Sequence, residues 1–435
     1  MAYCSMREPP SPDAAAPDAT PPDATPPDAT PRGAAGGDDA AGPPNESGGT
    51  HFVRFLRFGA LAWGGPVAQI AMLRDALVER ERWISRERFN RVLAVYQALP
   101  GPEAHELCVY FGMVARGRTG AVLAGLGFML PGLILMLLVS WAYVRFGLSS
   151  PWWRGAMLGC QGVVAALIVR AVVRIGEHAL TTGALRVVAL AAAAAALLDV
   201  DGIVVLAAAG AAHALGRRLS DAGAPPSGER RGGGVAVAAC PASLAASWSA
   251  FAPSLAAAAP ALPSLATLFG SGLEAGLLTF GGAYTAIPFL RHDAVEGGRW
   301  MTDAQFLDGL ALAAVLPAPF IIFSTFVGYL GGGLPGALIL TLGVFLPAFA
   351  FTLLGHDHLE RVVEMPATHA FLDGVTAGVV GIVAVTAWEV GRTTLGAPLP
   401  AAIFAVALVS LFRMRSHSAV AWLMGAAALA GVLLG

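Results

Sequence analysis

The chain reads as an all-α polytopic membrane protein made of two homologous helical repeats, inverted relative to one another and carrying broken, re-entrant helices. Three observations predict this. The 435 residues are 56% hydrophobic and 13% charged, against about 25% charged in a soluble globular domain. Long apolar runs recur at 121–144, 337–354, 374–388 and 419–434, the pattern of membrane spans. The chain also contains itself twice: residues 63–102 lie on 280–319 at a constant offset of 217, without a gap, with 15 identities in 40 positions.

The shared residues are not membrane filler. Gly64-Gly65 matches Gly281-Gly282, Arg74 matches Arg291, and Glu79 matches Glu296. Arg82-Trp83 matches Arg299-Trp300, and Pro100 and Pro102 match Pro317 and Pro319. The match resumes at offset 216, with Gly112 on Gly328, Gly120 on Gly336 and Leu130-Pro131 on Leu346-Pro347. A duplicated hydrophobic unit with helix breakers at corresponding points is the sequence pattern of secondary transporters, whose sites form where interrupted helices of the two halves meet.

Taken in order, residues 1–50 hold 11 Pro and eight acids against two Arg. That composition predicts a disordered tail, and no basic stretch followed by an apolar one marks it as a signal peptide. Residues 51–219 form the first repeat, 220–263 a linker and 264–435 the second repeat. Within the linker, the Ala-rich stretch 235–263 fits either an interfacial helix or a poor span. Each half has room for about six hydrophobic segments of ~20 residues. Two segments per half are not simple spans. Gly64-Gly65-Pro66 and Gly281-Gly282 interrupt one; Leu99-Pro100-Gly101-Pro102 and Leu316-Pro317-Ala318-Pro319 interrupt the other. Two prolines around a small residue forbid a continuous helix, and irregular backbone at membrane depth survives only inside protein or along a wet cavity. The stretch from His356 to Glu364 reads as a loop between spans.

Arg80, Arg82, Arg86, Arg88, Arg91, Arg116 and Arg118 flank the first Pro-Gly-Pro segment on both sides, whereas the matching flanks of the second half hold Arg299 with Glu296, Asp303 and Asp308. Cytoplasmic loops collect Arg. The contrast predicts a re-entrant hairpin over 92–115 and opposite orientation of the halves. A net charge of −2 argues against a nucleic-acid partner. Cys4, Cys108, Cys160 and Cys240 have neither metal-ligand spacing nor a disulfide framework.

The motifs Trp63-Gly64-Gly65-Pro66, Gln69-Ile70-Ala71, Arg82-Trp83-Ile84, Leu99-Pro100-Gly101-Pro102-Glu103-Ala104 and Leu130-Pro131-Gly132 resemble the chromate ion transporter family. The second half agrees in Phe280-Gly281-Gly282, Pro288-Phe289-Leu290, Phe306-Leu307-Asp308-Gly309-Leu310 and Thr325-Phe326-Val327-Gly328-Tyr329. The resemblance covers roughly 52–200 and 265–395, in the long, two-domain form of the family. It implies a multi-pass protein of the bacterial inner membrane, in contact with lipid, that exports chromate on the proton motive force and confers resistance. Sulfate is the natural look-alike anion. Three positions depart from the family pattern: Ala318 between the second pair of prolines, Ala313-Ala314-Val315 where a Gly-Glu pair is common, and His105 where Gln is usual.

Chromate is a tetrahedral dianion, and burying it requires donors and positive potential in place of water. Helix N-termini supply both. The expected substrate frame is therefore Gly64, Gly65, Gly281 and Gly282 with Pro100, Gly101, Pro102, Pro317 and Pro319. Helix packing by small residues is the competing reading of the Gly pairs. Arg74 and Arg291 are the matched cations expected to grip the anion with their forked donors, or else to snorkel at an interface. Glu103, His105 and Glu106, just past a break, are candidate proton carriers unless the break reaches water. Arg170 and Arg174, spaced i and i+4, either extend the positive path or mark a helix end. Glu79 with Arg82 and Glu296 with Arg299 are expected ion pairs, and Trp83 and Trp300 expected interfacial anchors. A membrane-embedded metal enzyme using His356, Asp357, His358 and His369 is the competing class, and the spacing fits no established metal pattern. No cofactor is expected.

Overall fold

The computed structural model describes residues 41–63, 65–147, 150–222, 262–363, 365–414 and 419–434. Among these, all regular structure is helical. In the first half α1 is Gly48–Ala60, α2 Pro66–Leu73, α3 Arg86–Ala98, α4 Glu103–Ala142, α5 Pro151–Ala179, α6 Gly183–Leu197 and α7 Gly202–Ala222. In the second half α8 is Leu265–Leu277, α9 Ile287–Arg291, α10 Asp303–Val315, α11 Phe323–Val363, α12 Pro366–Thr394, α13 Pro398–Arg413 and α14 Ala419–Leu434. Each member of the first set has its counterpart in the second.

The duplication extends to backbone detail. Hydroxyl caps start equivalent helices: Ser47 on α1 and Ser264 on α8, Ser85 on α3 and Thr302 on α10. The caps satisfy N–H groups that a helix start leaves free. Past α2 and α9 the chain loosens into π-helical turns, Arg74–Arg80 and His292–Gly297. Arg82 and Arg299 both take left-handed backbone, φ 52° and 51°. Both long helices fold back on themselves. At Arg116–Gly117 the angles are φ −145°, ψ 21° and φ 63°, ψ −151°; at Gly332–Gly333 they are φ −158°, ψ 24° and φ 60°, ψ −150°. A glycine is needed at the positive φ.

Each fold-back makes a tight helical hairpin. In α4, Gly112 and Gly120 face one another so closely that a Cβ on either would strike the other's carbonyl. Gly328 and Gly336 do the same in α11, followed by a Thr325–Thr341 hydroxyl contact of 2.7 Å. The arm 103–115 also packs back on α3, with Phe89 against Phe111 and the Arg88 Nε donating to the Tyr110 hydroxyl at 3.0 Å. Thirteen residues rise about 20 Å, short of a ~30 Å hydrocarbon core. The re-entrant hairpin expected over 92–115 is thus built from α3 and this arm, and begins earlier, at Arg86.

The equivalent long arms run antiparallel. Gly125, early in α4, lies against Phe349, late in α11. Gly132 lies against Ala318 and Ile322, and Tyr143, past the end of α4, stacks edge-on with Phe326 at 5.0 Å. The two repeats are inverted. They are also interlocked: α5 packs against α13 and α14, while α12 packs against α6 and α7. Backbone-to-backbone approach at Gly159–Ala427 and Gly374–Ala209 makes these exchanges possible, as small residues do between membrane helices. Outward-facing Ile134, Leu138 and Trp141 on α4 and Leu338 and Leu342 on α11 are exposed, a surface suited to lipid.

Among the described residues five helices are long and apolar enough to cross a membrane, at 103–146, 151–179, 202–220, 320–355 and 368–394. Three shorter apolar helices, 183–197, 398–413 and 420–434, accompany them. The expectation of about six ~20-residue segments per half is thus met by unequal lengths, because the broken segments form short paired arms. Three other expectations change. The ordered chain begins before residue 51. Glu46 pairs with Arg54, its carbonyl accepts from Arg116, and the Ala41 N–H donates to the Arg82 carbonyl at 2.8 Å. The backbone from His356 to Val363 is helical, not a loop, because α11 simply continues. Trp83 is 2% exposed, wedged between His51 and Phe111, and the Trp300 indole donates to the Val327 carbonyl at 3.3 Å. Both tryptophans anchor loops into protein rather than lipid. The stretch 235–261 lies outside the described residues, as do residues 1–40.

Inversion has a direct consequence. Ser85 sits at the end of α4 that carries Arg116, and Thr302 at the end that carries Tyr143. Single cysteines there, in a chain otherwise lacking cysteine, should label from opposite membrane faces with an impermeant thiol reagent. Labelling from one face would overturn the inverted arrangement. Gly112→Leu should overpack the α4 hairpin, costing roughly 1–3 kcal/mol or more. The expected readout is loss of membrane-inserted protein on immunoblot, while Gly216→Leu, where a side chain meets open space, leaves the level unchanged.

Candidate functional site

The breaks of one half meet the breaks of the other. The Gly101 N–H, inside the first Pro-Gly-Pro, donates 2.8 Å to the Thr279 carbonyl, two residues before Gly281. The Gln69 amide, one turn past Gly65, donates 3.1 Å to the Ala62 carbonyl and 3.2 Å to the Ala318 carbonyl between Pro317 and Pro319. Each Pro-x-Pro break is therefore pinned to the other repeat's Gly-Gly break. Tyr284 stacks on Phe320 with centroids 4.4 Å apart, joining the second pair of breaks to each other. Gly65 and Gly282 have φ 81° and 118°, and Gly281 φ 76°; Gly64 lies outside the described residues.

Helices start at every break. Pro66 opens α2 behind Gly65, Glu103 opens α4 behind Pro102, and short 3₁₀ turns lead from Gly282 into α9 and from Pro319 into α11. Proline is at home in a first turn, where its missing N–H has no partner to lose. The positive ends of α2, α4 and α11 thus lie at the breaks that these contacts join into one crossing. The two Pro-x-Pro breaks differ for a steric reason. Gly101 has φ 150° and a Cβ there would lie 2.5 Å from the Glu106 Oε1. Ala318 has no such neighbour, and its methyl instead fills the space over Gly132.

The acids just past the first break are not wet. Glu103 is 8% exposed, and His105 and Glu106 are fully buried. Glu103 bonds with the Gln97 side chain and feels the charge of Arg174. Neither oxygen of Glu106 meets a donor among the described residues. The His105 Nε2 is 3.2 Å from the Gly125 carbonyl, and its ring is packed edge-on against Phe345 and Phe349 at 4.8 and 4.9 Å.

The matched arginines are placed differently from expectation. Arg74 is exposed and its Nε donates 3.2 Å to Glu79. Glu79 also pairs with Arg86, whose hydrogen bond holds that carboxyl below its ordinary pKa. Arg291 is buried among three carboxylates, bonding Glu296 at 2.5 Å, Glu389 at 2.7 Å and Asp303 at 2.9 Å. One cation among three anions repels a dianion, so neither guanidinium is available as an anion clamp. The expected Glu79–Arg82 and Glu296–Arg299 pairs are replaced by these, and Arg299 reaches only the Glu296 carbonyl at 3.3 Å.

Arg170, half-buried, and Arg174, exposed, precede Ile175 on α5, the residue that lies against Gly281. The helix runs on to Ala179, so they do not mark its end. Their charges reach the Tyr284 hydroxyl, and that of Arg174 also reaches Glu103. A Cβ on Gly281 would touch Ile175, the next residue, at 3.5 Å. Among the described residues neither arginine has an ion-pair partner. Sequence reasoning passed over Gln69 and Tyr284, although Gln69 stands in a quoted motif. It also read Asp308 as a flanking loop charge. In fact Asp308 is 6% exposed within α10, accepting from the Tyr143 hydroxyl at 2.9 Å and the Gln161 amide at 3.0 Å. An acid inside the apolar run from Phe306 to Val315 was the available clue.

Comparison with known proteins agrees with this architecture. The chromate transporter family model matches twice, over residues 49–214 and 266–432. A chromate transport protein of Pseudomonas aeruginosa is 51% identical over 400 residues, covering 90% of this chain and 94% of that protein. One from Cupriavidus metallidurans is 30% identical over 387 residues, covering 87% and 91%. A probable chromate transport protein of Synechococcus elongatus is 27% identical over 385 residues, covering 87% and 93%. No solved structure matches the chain. With its family model matched once in each inverted repeat, the chain belongs to the chromate transporter family, whose members are membrane transport proteins and not enzymes.

Proposed function

We propose that the protein carries chromate out of the cytoplasm across the bacterial inner membrane, driven by the proton motive force, and that this export confers chromate resistance. The observation that carries the reading is the crossing itself. Four backbone breaks from two inverted repeats are joined there, and helices start at them. Arg170 and Arg174 stand on α5 near Ile175, which lies against Gly281. That arrangement suits a tetrahedral dianion, because a transporter site needs donors and positive potential at the repeat interface. The loops rich in Arg, 80–91 and 116–118, are then cytoplasmic, and 297–308 periplasmic.

In this reading Gly65, Gly101, Gly281 and Gly282, with Pro100, Pro102, Pro317 and Pro319, frame the anion through backbone, and Gly64 completes the first Gly pair. The countercharge is Arg170 and Arg174 in place of Arg74 and Arg291. An Arg fork holds two oxyanion oxygens at once. Glu103 lies within range of the Arg174 charge, so its protonation state changes the potential that the anion meets. Of the three acid–base candidates it has the closest link to the crossing. His105 and Glu106 sit deeper, behind the break.

Labelled chromate uptake into everted vesicles, with sulfate as competitor, tests the function. Uptake that depends on an imposed proton gradient and resists excess sulfate is the expected result. Uptake of labelled sulfate at equal rate would make the protein a general tetrahedral-oxyanion carrier, and no uptake of either would overturn the reading. Arg170→Gln and Arg174→Gln should each lower chromate uptake on the order of tenfold or more, since a buried dianion without its countercharge is costly. Lys at either position should retain a part, keeping charge but losing the fork. Arg74→Gln should change uptake by less than about twofold, as exposed ion pairs contribute little. Loss of uptake in Arg74→Gln, at normal protein level, would return the clamp to the matched arginines.

A further inference from the structure

The buried carboxylate of Asp308 stands apart from the crossing and has no role in it. It lies one turn and a half into α10 and lines a cavity of about 270 Å³ between α5 and the start of α10. Thr302, Gln305, Arg154, Trp153, Tyr143 and Gln161 line it with Asp308. The Trp153 indole N–H is buried there without a partner among the described residues. Both Asp308 oxygens are held by neutral donors, the Tyr143 hydroxyl and the Gln161 amide. No cation pairs with it among the described residues. A carboxyl within a membrane protein, reached by a cavity and free of an ion pair, is what a proton-loading site requires.

We propose that Asp308 is the proton-carrying carboxylate of the transport cycle, loaded through this cavity. The proposal rests on the reading of the protein as a proton-driven carrier and adds the residue that does the coupling. The step is a proton transfer alone: an Asp308 oxygen takes H⁺ from water in the cavity and later returns it to water on the other side. The same oxygens are the tie that binds α10 to the end of α4, through Tyr143, and to α5, through Gln161. Protonation removes one acceptor and so weakens one of these ties. α10 ends at Leu316, the first residue of the second Pro-x-Pro break, whose Ala318 carbonyl accepts from Gln69. A change at Asp308 is therefore transmitted along one rigid helix to the substrate crossing.

The groups that face Asp308 from its neighbours define its titration. From α5 these are Arg154, exposed at the cavity wall, and the buried Cys160 thiol. From the end of α4 it is Tyr143. On α10 itself Asp303 is engaged by Arg291. The first arm of α11 brings only Tyr329, and α14 brings no titratable residue.

The test uses the full chain purified and reconstituted in liposomes with a pH-reporting dye inside. Two fluxes are measured, chromate–chromate exchange without a gradient and chromate accumulation under an imposed pH gradient. Asp308→Asn should abolish accumulation and its accompanying proton flux while exchange stays within about twofold of wild type. Asp308→Glu should restore accumulation with a displaced pH profile. Tyr143→Phe should shift that profile without abolishing either flux. Gradient-driven accumulation by Asp308→Asn at the wild-type level would overturn the proposal. So would loss of both fluxes in a variant that elutes as folded protein, because that outcome makes Asp308 structural. A substrate-free readout separates this from failure of the chromate reading. A pH-jump infrared difference spectrum of the wild type should contain a protonating carboxyl band that Asp308→Asn removes. If that band persists in the variant, the proposal fails whether or not chromate moves.

Discussion

Everything in this fold depends on one constraint: a polar backbone group inside the membrane must find its partner within the protein. A transporter of a hydrated dianion needs interrupted helices, and each interruption frees N–H and C=O groups at the worst possible depth. Here the freed groups of one repeat are answered by the other. The Gly101 N–H finds the Thr279 carbonyl, and the carbonyl of Ala318 finds the Gln69 amide. Neither repeat can make these bonds alone. The exchange of α5 and α12 between halves has the same logic, since each covers helices of the opposite repeat. Duplication and inversion are thus the means by which broken helices are tolerated.

Such mutual satisfaction explains which parts of the structure were legible in the sequence. The duplicated Gly-Gly and Pro-x-Pro breaks are local events with strong steric causes, so they could be read from residues 63–102 and 280–319 directly. The re-entrant hairpin followed from arginines on both flanks, and the inversion from their asymmetry. What could not be read were partners distant along the chain. Arg74 and Arg291 are matched in sequence, yet one lies exposed beside Glu79 and the other is buried among Glu296, Asp303 and Glu389. Glu389 comes from α12, 98 residues away, and nothing in the local pattern announces it. Trp83 failed for the same reason: aromatic residues beside Arg favour an interface, but His51 and Phe111 enclose this one.

Identical backbone also supports unequal chemistry. The hairpin turns at Arg116–Gly117 and Gly332–Gly333 agree within about 15° in every angle, well inside ordinary scatter. Around that shared frame the side chains diverge. The first half places Glu103, His105 and Glu106 after its break, where the second has Phe320, Ile322 and Phe323. The second half places Asp308 in its re-entrant helix, where the first has Arg91. Gly101 sits at φ 150°, a backbone that favours glycine, whereas the second break does not take a positive φ at Ala318 and accepts a methyl there.

That division has a mechanistic sense. A symmetric pair of repeats gives a carrier two equivalent shapes, one open to each side, and by symmetry no preference between them. Direction and coupling must come from whatever breaks the symmetry. The acids are one such difference: a cluster behind the first Pro-Gly-Pro break, and Asp308 within α10. Each sits on a re-entrant arm that ends at, or begins from, a Pro-x-Pro break, so its charge state bears on the hydrogen bonds that pin that break to the other repeat. An arm of 13 residues held by a few such bonds is a small enough body for one proton to move, and the long antiparallel arms of α4 and α11 give it a fixed wall to move against.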